Sequence, residues 1–594
     1  MTANTRLGLA GILGMCVPLL IGAVVGCESN KKAAIEPVQD EAAPTEAQKR
    51  LSGVLRDTVG GVAYLQGTRW QAVRGYGLVV GLGKNGSRTC PEPLREQMLQ
   101  EIRKRLETDG IYSLDQIQVK ANDLMDSLDT AVVEVTGLIP PGACKGARFD
   151  VHVQAVAGTE TRTLEGGRLY TCNLHMYRMG SQGDLIHGKV LAHAAGAIFQ
   201  PIVQTVPEAP ASQAAASQPD LRRGLVLGGG RNLATRPMEL ALGTASHRLA
   251  RQITNRINEH FGTGQEIAKA MTPSRIEVQA PAETWRNRED HFYELVMHLP
   301  LTREEQYLAV RARELVGMLR QPDAPAEDIA LVLEAMGQPA VPVVQGFYTD
   351  THRAVRYYAA RVGIRLRDDT AVDVLGREAA DRGSPFREAA VAELSNAPDV
   401  ALARLPLRDL INDPNLKIRI LAYEGLSRHN DEKIRRYKVG RDSFVLDVVP
   451  SGGEPIVYAT RALEGRIAVI GKDVACRPPF FYLHPSRVIA LSCDGKEPDV
   501  TMVRRTPFGQ VSEPMKTPLE LGEMIRFMGD SAEIDEETGK IKGLELSYSQ
   551  VLQTIQALCQ TRAVAARLEI QSATLSDSLG AIKPVNRPES EIPR

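Results

Sequence analysis

Arg74-Gly75-Tyr76-Gly77-Leu78-Val79-Val80-Gly81-Leu82-Gly83-Lys84-Asn85-Gly86 governs how the rest of the chain is read. The apolar run Leu78–Val80 predicts a short buried strand with glycines on both sides. Gly81, Gly83 and Gly86 form a G-x-G-x-x-G string, the pattern of a dinucleotide-binding turn. That turn needs a helix to open at the glycines, so that backbone N–H groups and the helix dipole face a pyrophosphate. Here Ser87-Arg88-Thr89-Cys90-Pro91 intervenes, and a helix can begin only near Pro91. The glycines, with Gly75 and Gly77 before them, are therefore read as a structural loop supplying unusual backbone geometry. No cofactor is expected.

The chain has 594 residues, too many for one core, and should split into roughly three or four domains. Hydrophobic content of 43% and charged content of 24% are ordinary for a globular protein. With 71 basic and 72 acidic residues, the net charge of -1 supplies no basic surface for nucleic acid.

Residues 1–26 read as a leader. Arg6 is its positive start and Leu7 to Gly26 is uncharged and apolar. Val24-Val25-Gly26-Cys27 has the lipobox form, in which small residues precede a Cys that is lipidated. Cys27 is thus the expected lipid attachment point to a membrane. Residues 27–50, rich in Ala, Glu, Lys and Pro, read as a flexible tether. Beyond the tether stand Cys90, Cys144, Cys172, Cys476, Cys493 and Cys559, an even number that permits disulfides in an exported chain. Cys172 and His175 make a C-x-x-H with no second pair at zinc-ligand spacing. The eleven histidines are scattered, no nucleophile–base–acid set stands out, and neither a metal site nor catalysis is expected.

From Leu51 to about Pro300 the pattern is mixed α/β. Pro91 to Thr108 predicts a helix from Leu94, Met98, Ile102 and Leu106, whereas Ile117–Val119 and Ala131–Val135 predict strands. An Ala/Pro/Ser/Gln-rich insertion at about 205–219 reads as a disordered loop. Ala245, Leu249, Ile253, Ile257 and Phe261 predict a helix capped by Thr244 and ended by Gly262.

Several of these stretches resemble the flagellar basal-body P-ring protein family. "RGYGLVVGLGKNGSRT" resembles its I-G-Y-G-L-V-V-G-L segment, with Arg74 in place of the Ile and Lys84-Asn85-Gly86-Ser87 in place of G-T-G-D. "GLIPPGACKGARFDVHVQAV" (137–156) resembles its P-P-F-G…D-V-x-V segment, and "LEGGRLYTCNL" (164–174) its L-x-G-G-x-L segment. The helix from Ala245 and "AKAMTPSRIEVQAP" (268–281) resemble a helix-then-strand pair. Near the C-terminus "LEGRIAVIGKDV" (463–474) is similar to T-G-T-V-V-x-G-G-D-V, with Lys472 standing for the second Gly. "TPLELGEMIRFMG" (517–529) and "LSYSQVLQTIQALCQTRAVAARLEI" (546–570) resemble the family's last helices and strand. The segments follow the family's order. The resemblance implies a non-enzymatic periplasmic subunit that closes as a homo-oligomeric ring around the flagellar rod, in contact with peptidoglycan.

Between residues 301 and 436 the texture becomes helix after helix. Asp350-x5-Arg356-x2-Ala359, Asp381-x5-Arg387-x2-Ala390 and Asp413-x5-Arg419-x2-Ala422 repeat one template, with the arginines 31 and 32 residues apart. This resembles HEAT-type repeats, in which a turn Asp pairs with an Arg of a neighbouring unit and stacked units bury a continuous core. Such a stack is expected to be a separable module for a further protein partner, with Arg356, Arg387 and Arg419 bonding carboxylates of adjacent repeats. The expected class is therefore α+β multidomain: P-ring-like α/β regions at 51–300 and 437–572, interrupted by the all-α repeats at 301–436. An acidic insertion at 530–543 and a loose tail at 573–594 complete the chain. The alternative function is a periplasmic lipoprotein scaffold, recruited to a non-motility assembly through its helical repeats.

Overall fold

The computed structural model describes residues 51–109, 114–179, 185–200, 220–440, 444–460, 465–485, 487–505, 510–531 and 543–571. The leader, Cys27, the tether, the 205–219 loop, residues 532–542 of the acidic insertion and the 573–594 tail lie outside the described residues.

The strand expected at Leu78–Val80 is the end of a ten-residue strand. After β1 (Ala63–Gln66) come β2 (Gln71–Val80), α1 (Glu92–Asp109) and α2 (Leu114–Met125). Then β3 (Ala131–Ile139), β4 (Arg148–Ala155), β5 (Arg168–Met179), β6 (Leu185–Ala197) and β7 (Arg223–Asn232) follow. Strands β2 to β7 close a barrel in the order β2-β3-β4-β7-β6-β5. Alternate residues such as Val73, Val133, Val135, Val151, Val153, Leu169 and Leu174 fill its interior. On the outside, Leu78 and Val132 pack under Met98, Ile102 and Leu106 of α1 and Ile117, Ala121 and Met125 of α2. The strand expected at Ile117–Val119 is thus corrected to helix. Apolar residues four apart at 117, 121 and 125 outweigh the local β-branched preference, and Val119 points to solvent.

Beside the barrel, β8 (Met238–Leu242), α3 (His247–Phe261), β9 (Ala268–Thr272), β10 (Arg275–Val278) and α4 (Glu289–His298) follow in order. The antiparallel sheet β1-β8-β10-β9 packs on α3 and α4 through Ile253, Ile257, Phe292 and Val296. The N-cap of α3 is Ser246, not Thr244, and its oxygen accepts from Leu249 N–H; Gly262 ends the helix as expected.

The stack comprises α5 (Glu305–Met318), α6 (Ala326–Met336), α7 (Arg353–Arg365), α8 (Ala371–Ala380), α9 (Arg387–Ser395), α10 (Arg404–Leu410) and α11 (Leu416–Arg428), short turns aside. Strands resume with β11 (Arg435–Val439), β12 (Phe444–Val449), β13 (Ile456–Ala459) and β14 (Arg466–Ile470). An antiparallel sheet of β15 (Phe480–Leu483), β16 (Ile489–Cys493), β17 (Asp499–Arg504) and β18 (Met515–Pro518) precedes α12 (Leu521–Gly529), α13 (Tyr548–Gln560) and β19 (Arg567–Ile570).

The C-terminal sheet runs β11-β12-β14-β13-β19, with β12 parallel to β14 and β13 parallel to β19. Apart from Asp447 and Arg466, its central strands are apolar without alternation because both faces are covered. Val457, Ala459, Ile467 and Val469 face α12 and α13. Ile456, Tyr458, Ala468 and Ile470 instead join the core of the helical stack. The architecture is α+β, and the stack shares its core with the sheet that follows it. Val54 joins the same core from the N-terminal side, where the Arg311 guanidinium donates to the carbonyls of Gly53 and Val54. The expectation of a separable module is corrected accordingly: one layer of the C-terminal sheet's packing is the stack itself.

Candidate functional site

Three arrangements carry the residues singled out by the sequence: the glycine bend, the Arg–Asp ladder and the seam between stack and sheet. In β2, Gly75 and Gly77 allow close approach to β5. A Cβ on Gly75 would lie 2.0 Å from the Asn173 carbonyl oxygen, and one on Gly77 would lie 2.8 Å from both the Cys172 side chain and the Thr171 oxygen. Gly81 and Gly83 take left-handed backbone, with φ of 84° and 64°. Three of the bend's N–H groups are taken by the segment before β3. Leu82 donates to Asp129 O (2.9 Å), Gly83 to Asp129 Oδ1 (2.6 Å) and Gly86 to Leu128 O (2.8 Å). The next helix opens only at Glu92. The bend therefore ties β2 to the segment before β3.

Cys172 and His175 stand on opposite sides of β5. Cys172 is buried in the barrel interior, and His175 Nδ1 lies 3.0 Å from Gly188 O. The six described cysteines are all free thiols. Burial pushes Cys476 up to about 12 and Cys559 to about 11, keeping them protonated and unreactive. Among the described residues, no group of three His, Cys, Asp or Glu is placed to hold a metal ion.

In the stack, each turn aspartate serves two contacts. One oxygen holds its own turn: Asp350 Oδ1 accepts from His352 N–H (2.8 Å), Asp381 Oδ1 from Gly383 N–H (2.9 Å) and Asp413 Oδ1 from Asn415 N–H (2.8 Å). The other oxygen accepts from an arginine of the preceding unit. Arg320 reaches Asp350, Arg353 reaches Asp381 at 2.7 Å and Arg387 reaches Asp413. Arg408 and Asp431 add a further rung at 2.8 Å. Of these rungs, only Arg387–Asp413 joins two residues of the sequence template. Arg356 instead donates to Glu378 Oε1 of the next unit at 3.0 Å.

Arg419 is a correction, since among the described residues it meets no carboxylate. It donates to Ile411 O, Glu454 O and Ser451 Oγ at 3.0, 2.7 and 3.1 Å. No repeat follows α11, so the arginine that would link to one grips the loop between β12 and β13. Arg320, Arg353 and Arg408 escaped the sequence reading because they stand outside the Asp-x5-Arg spacing.

The seam centres on Asp447 of β12, whose side chain is fully buried. It accepts from Tyr423 Oη (2.8 Å), Ser427 Oγ (3.3 Å) and Arg436 Nε (2.8 Å), and Arg466 lies 3.5 Å away. Nearby, Tyr458 donates to Glu424 at 2.7 Å. A charge inside an otherwise apolar strand was the available signal; its partners, on α11, β11 and β14, were not visible from spacing. Together these groups fix how the last helix sits on the sheet. They form a structural lock between stack and sheet.

Residues 58–317 match the family described as flagellar P-ring protein. The match takes in the barrel, the β1-β8-β10-β9 sheet, α3, α4 and nearly all of α5, and it ends before most of the stack. The flagellar P-ring protein of Chromohalobacter salexigens is 27% identical over 266 residues, covering 44% of this chain and 63% of the relative. Those of Helicobacter pylori and Nitrosospira multiformis are 25% identical over 248 residues and 29% over 236. They are covered over 63% and 56% of their length, and this chain over 42% and 39% of its own. The chain thus matches under two thirds of these relatives. A chain of the CpcE–CpcF phycocyanin lyase complex from Nostoc is 26% identical, over 21% of this chain and 80% of that one. Its TM-score of 0.18 carries no argument. The resemblance to the P-ring family is borne out across the barrel region; the segments quoted beyond residue 460 lie outside the matched span.

Proposed function

We propose that this chain, P-ring-like over residues 58–317, is a structural and non-enzymatic subunit of a flagellar basal-body ring. In this reading it closes as a homo-oligomer around the rod in the periplasm, within reach of peptidoglycan, and a lipid on Cys27 holds it to a membrane. The observation that supports it is that the match runs unbroken over the barrel, the neighbouring sheet and their helices, rather than over scattered motifs. Arg–Asp rungs, buried thiols and a glycine bend tied to the neighbouring segment suit a rigid building block.

The test is deletion of the gene in its native cell, followed by imaging of basal bodies and a swimming assay. Loss of the ring and of motility, both restored by the intact gene, is the expected outcome. Intact rings in the deletion strain would overturn the proposal. Cys27→Ala should accumulate unprocessed precursor; normal processing and membrane fractionation would remove the lipid from the reading.

A second reading is a lipoprotein scaffold of the same fold serving a non-motility assembly through its helical repeats. It is favoured by the stack, most of which lies beyond the matched residues. Normal swimming in the deletion strain, with another envelope assembly lost, would support it.

A further inference from the structure

A cavity of about 630 Å3 opens at the ends of β12 and β14, against the start of α12. These are adjacent parallel strands, and the carboxyl ends of such strands are where open α/β sheets place ligands. The "VIGKDV" stretch singled out in the sequence supplies one wall through Val469, Gly471, Lys472, Asp473 and Val474. Val448, Val469 and Val474 make an apolar floor. Lys433, Arg435 and Lys472 stand around the cavity, and none is in an ion pair with any described residue. Lys472 occupies the position where the resembled family segment has glycine, so the third cation belongs to this chain.

The helix end adds to the positive side. Glu520, the N-cap of α12, makes no side-chain cap bond, and Leu521 N–H is taken by Val474 O. Gly522, the next residue, lines the cavity without a side chain to cover the helix's first N–H groups. Against these stand two carboxylates, Asp473 and Glu520, leaving one net positive charge among the five charged lining residues. Such a site takes a compact negative head near the cations and rejects one placed beside Glu520.

We propose that this cavity binds a small organic anion, with a carboxylate or phosphate head and a short apolar body resting on the three valines. The experiment is titration calorimetry on the full-length chain with inorganic phosphate, acetate and hexanoate. Saturable binding is expected, hexanoate tighter than acetate because of the valine floor; a preference for phosphate would identify the head group. K433A/R435A should weaken binding at least about tenfold, as loss of two nearby opposite charges requires. E520Q should tighten it, a change of opposite sign that general unfolding cannot mimic. The inference is overturned if neither phosphate nor hexanoate binds saturably, or if K433A/R435A leaves affinity unchanged, or if E520Q weakens binding.

Discussion

The barrel and the helical stack solve the same problem in opposite ways. Every residue of the barrel's inner core comes from between Val73 and Val226, because a closed sheet needs nothing else to seal it. The stack's core instead runs from Val54 to Ile470 and borrows strands from the sheet that follows. In sequence the stack looks like an inserted guest, with its own repeat and an abrupt change of texture at each end. In space it is the more dependent of the two regions. An insertion boundary read from texture marks a change of secondary structure and says little about where a packing unit ends. A sheet with both faces apolar has to be covered twice, and here the second cover is the stack.

The strongest way to break this comparison is to separate the parts. Residues 301–436 expressed alone would lose their cover over Ile456, Tyr458, Ala468 and Ile470, and the remaining chain would expose that face. At about 1.5–3 kcal/mol per buried side chain, the loss rivals the whole stability of about 5–15 kcal/mol of a typical domain. We expect the fragment to show no cooperative urea transition by circular dichroism, and the chain with the span replaced by a Gly/Ser linker to aggregate. A sharp transition in the fragment would show that the stack stands alone, like the barrel.

A smaller perturbation at the seam sharpens the same point. Asp447→Ala leaves Arg436 and Arg466 facing a buried space without their carboxylate, at a cost of about 3–5 kcal/mol. Chemical denaturation should show this loss together with a split of stack and sheet from the barrel. Leu169→Ala, inside the barrel, should cost about 2–5 kcal/mol and lower the barrel's transition alone. Equal effects of both changes on every probe would mean that the molecule melts as a single unit.

Within the stack the rungs differ by burial. Arg387 and Asp413 keep side-chain exposures of only 11% and 9%, whereas Arg353 and Asp381 keep 40% and 43%. Arg387→Ala strands a nearly buried carboxylate and should cost about 2–3 kcal/mol. Arg353→Ala breaks an exposed pair and should cost no more than about 1 kcal/mol. Equal losses in urea titrations would mean that the ladder acts through its turns and not through its ion pairs.

The period of that ladder was legible because the turn aspartate and the helix packing it supports recur locally. So were the glycine bend, α1, α3 and the mixed texture of both flanks. The closure of the barrel was not legible, since pairing β2 with β5 and β4 with β7 depends on contacts distant in sequence. The seam failed for the same reason: Asp447 reads as a lone polar residue until α11 and β14 are placed beside it. Ile117–Val119 went wrong because three residues cannot distinguish a strand from one turn of a helix whose partners lie at 121 and 125.

The mildest test lies where the barrel-side sheet meets the stack, on α4. Burial raises Asp290 from 3.8 to about 6, helped by the neighbouring carboxylates of Glu289 and Glu294. Between about pH 4 and 6 the folded chain keeps a proton that the unfolded chain has released. Stability contributed here therefore falls as pH rises through that window and is level above it. Glu334 of α6 behaves oppositely. Burial tends to raise it, but the His291 hydrogen bond and the Arg365 charge bring it down to about 2. Its contribution is present above about 4.5 and is lost as pH falls toward 2. His291 is raised despite its burial, because Glu294 and Glu334 favour the charged ring, so its share fades only above about 6.5. Asp290→Asn should remove the fall between pH 4 and 6 while leaving the acid limb of Glu334 and the later decline of His291 in place. After discounting for partial exposure, the gain at neutral pH should be about 1–2 kcal/mol. Thermal melts of both forms across pH 3 to 8 would show it, and parallel curves would mean that Asp290 is no more burdened than a surface carboxylate.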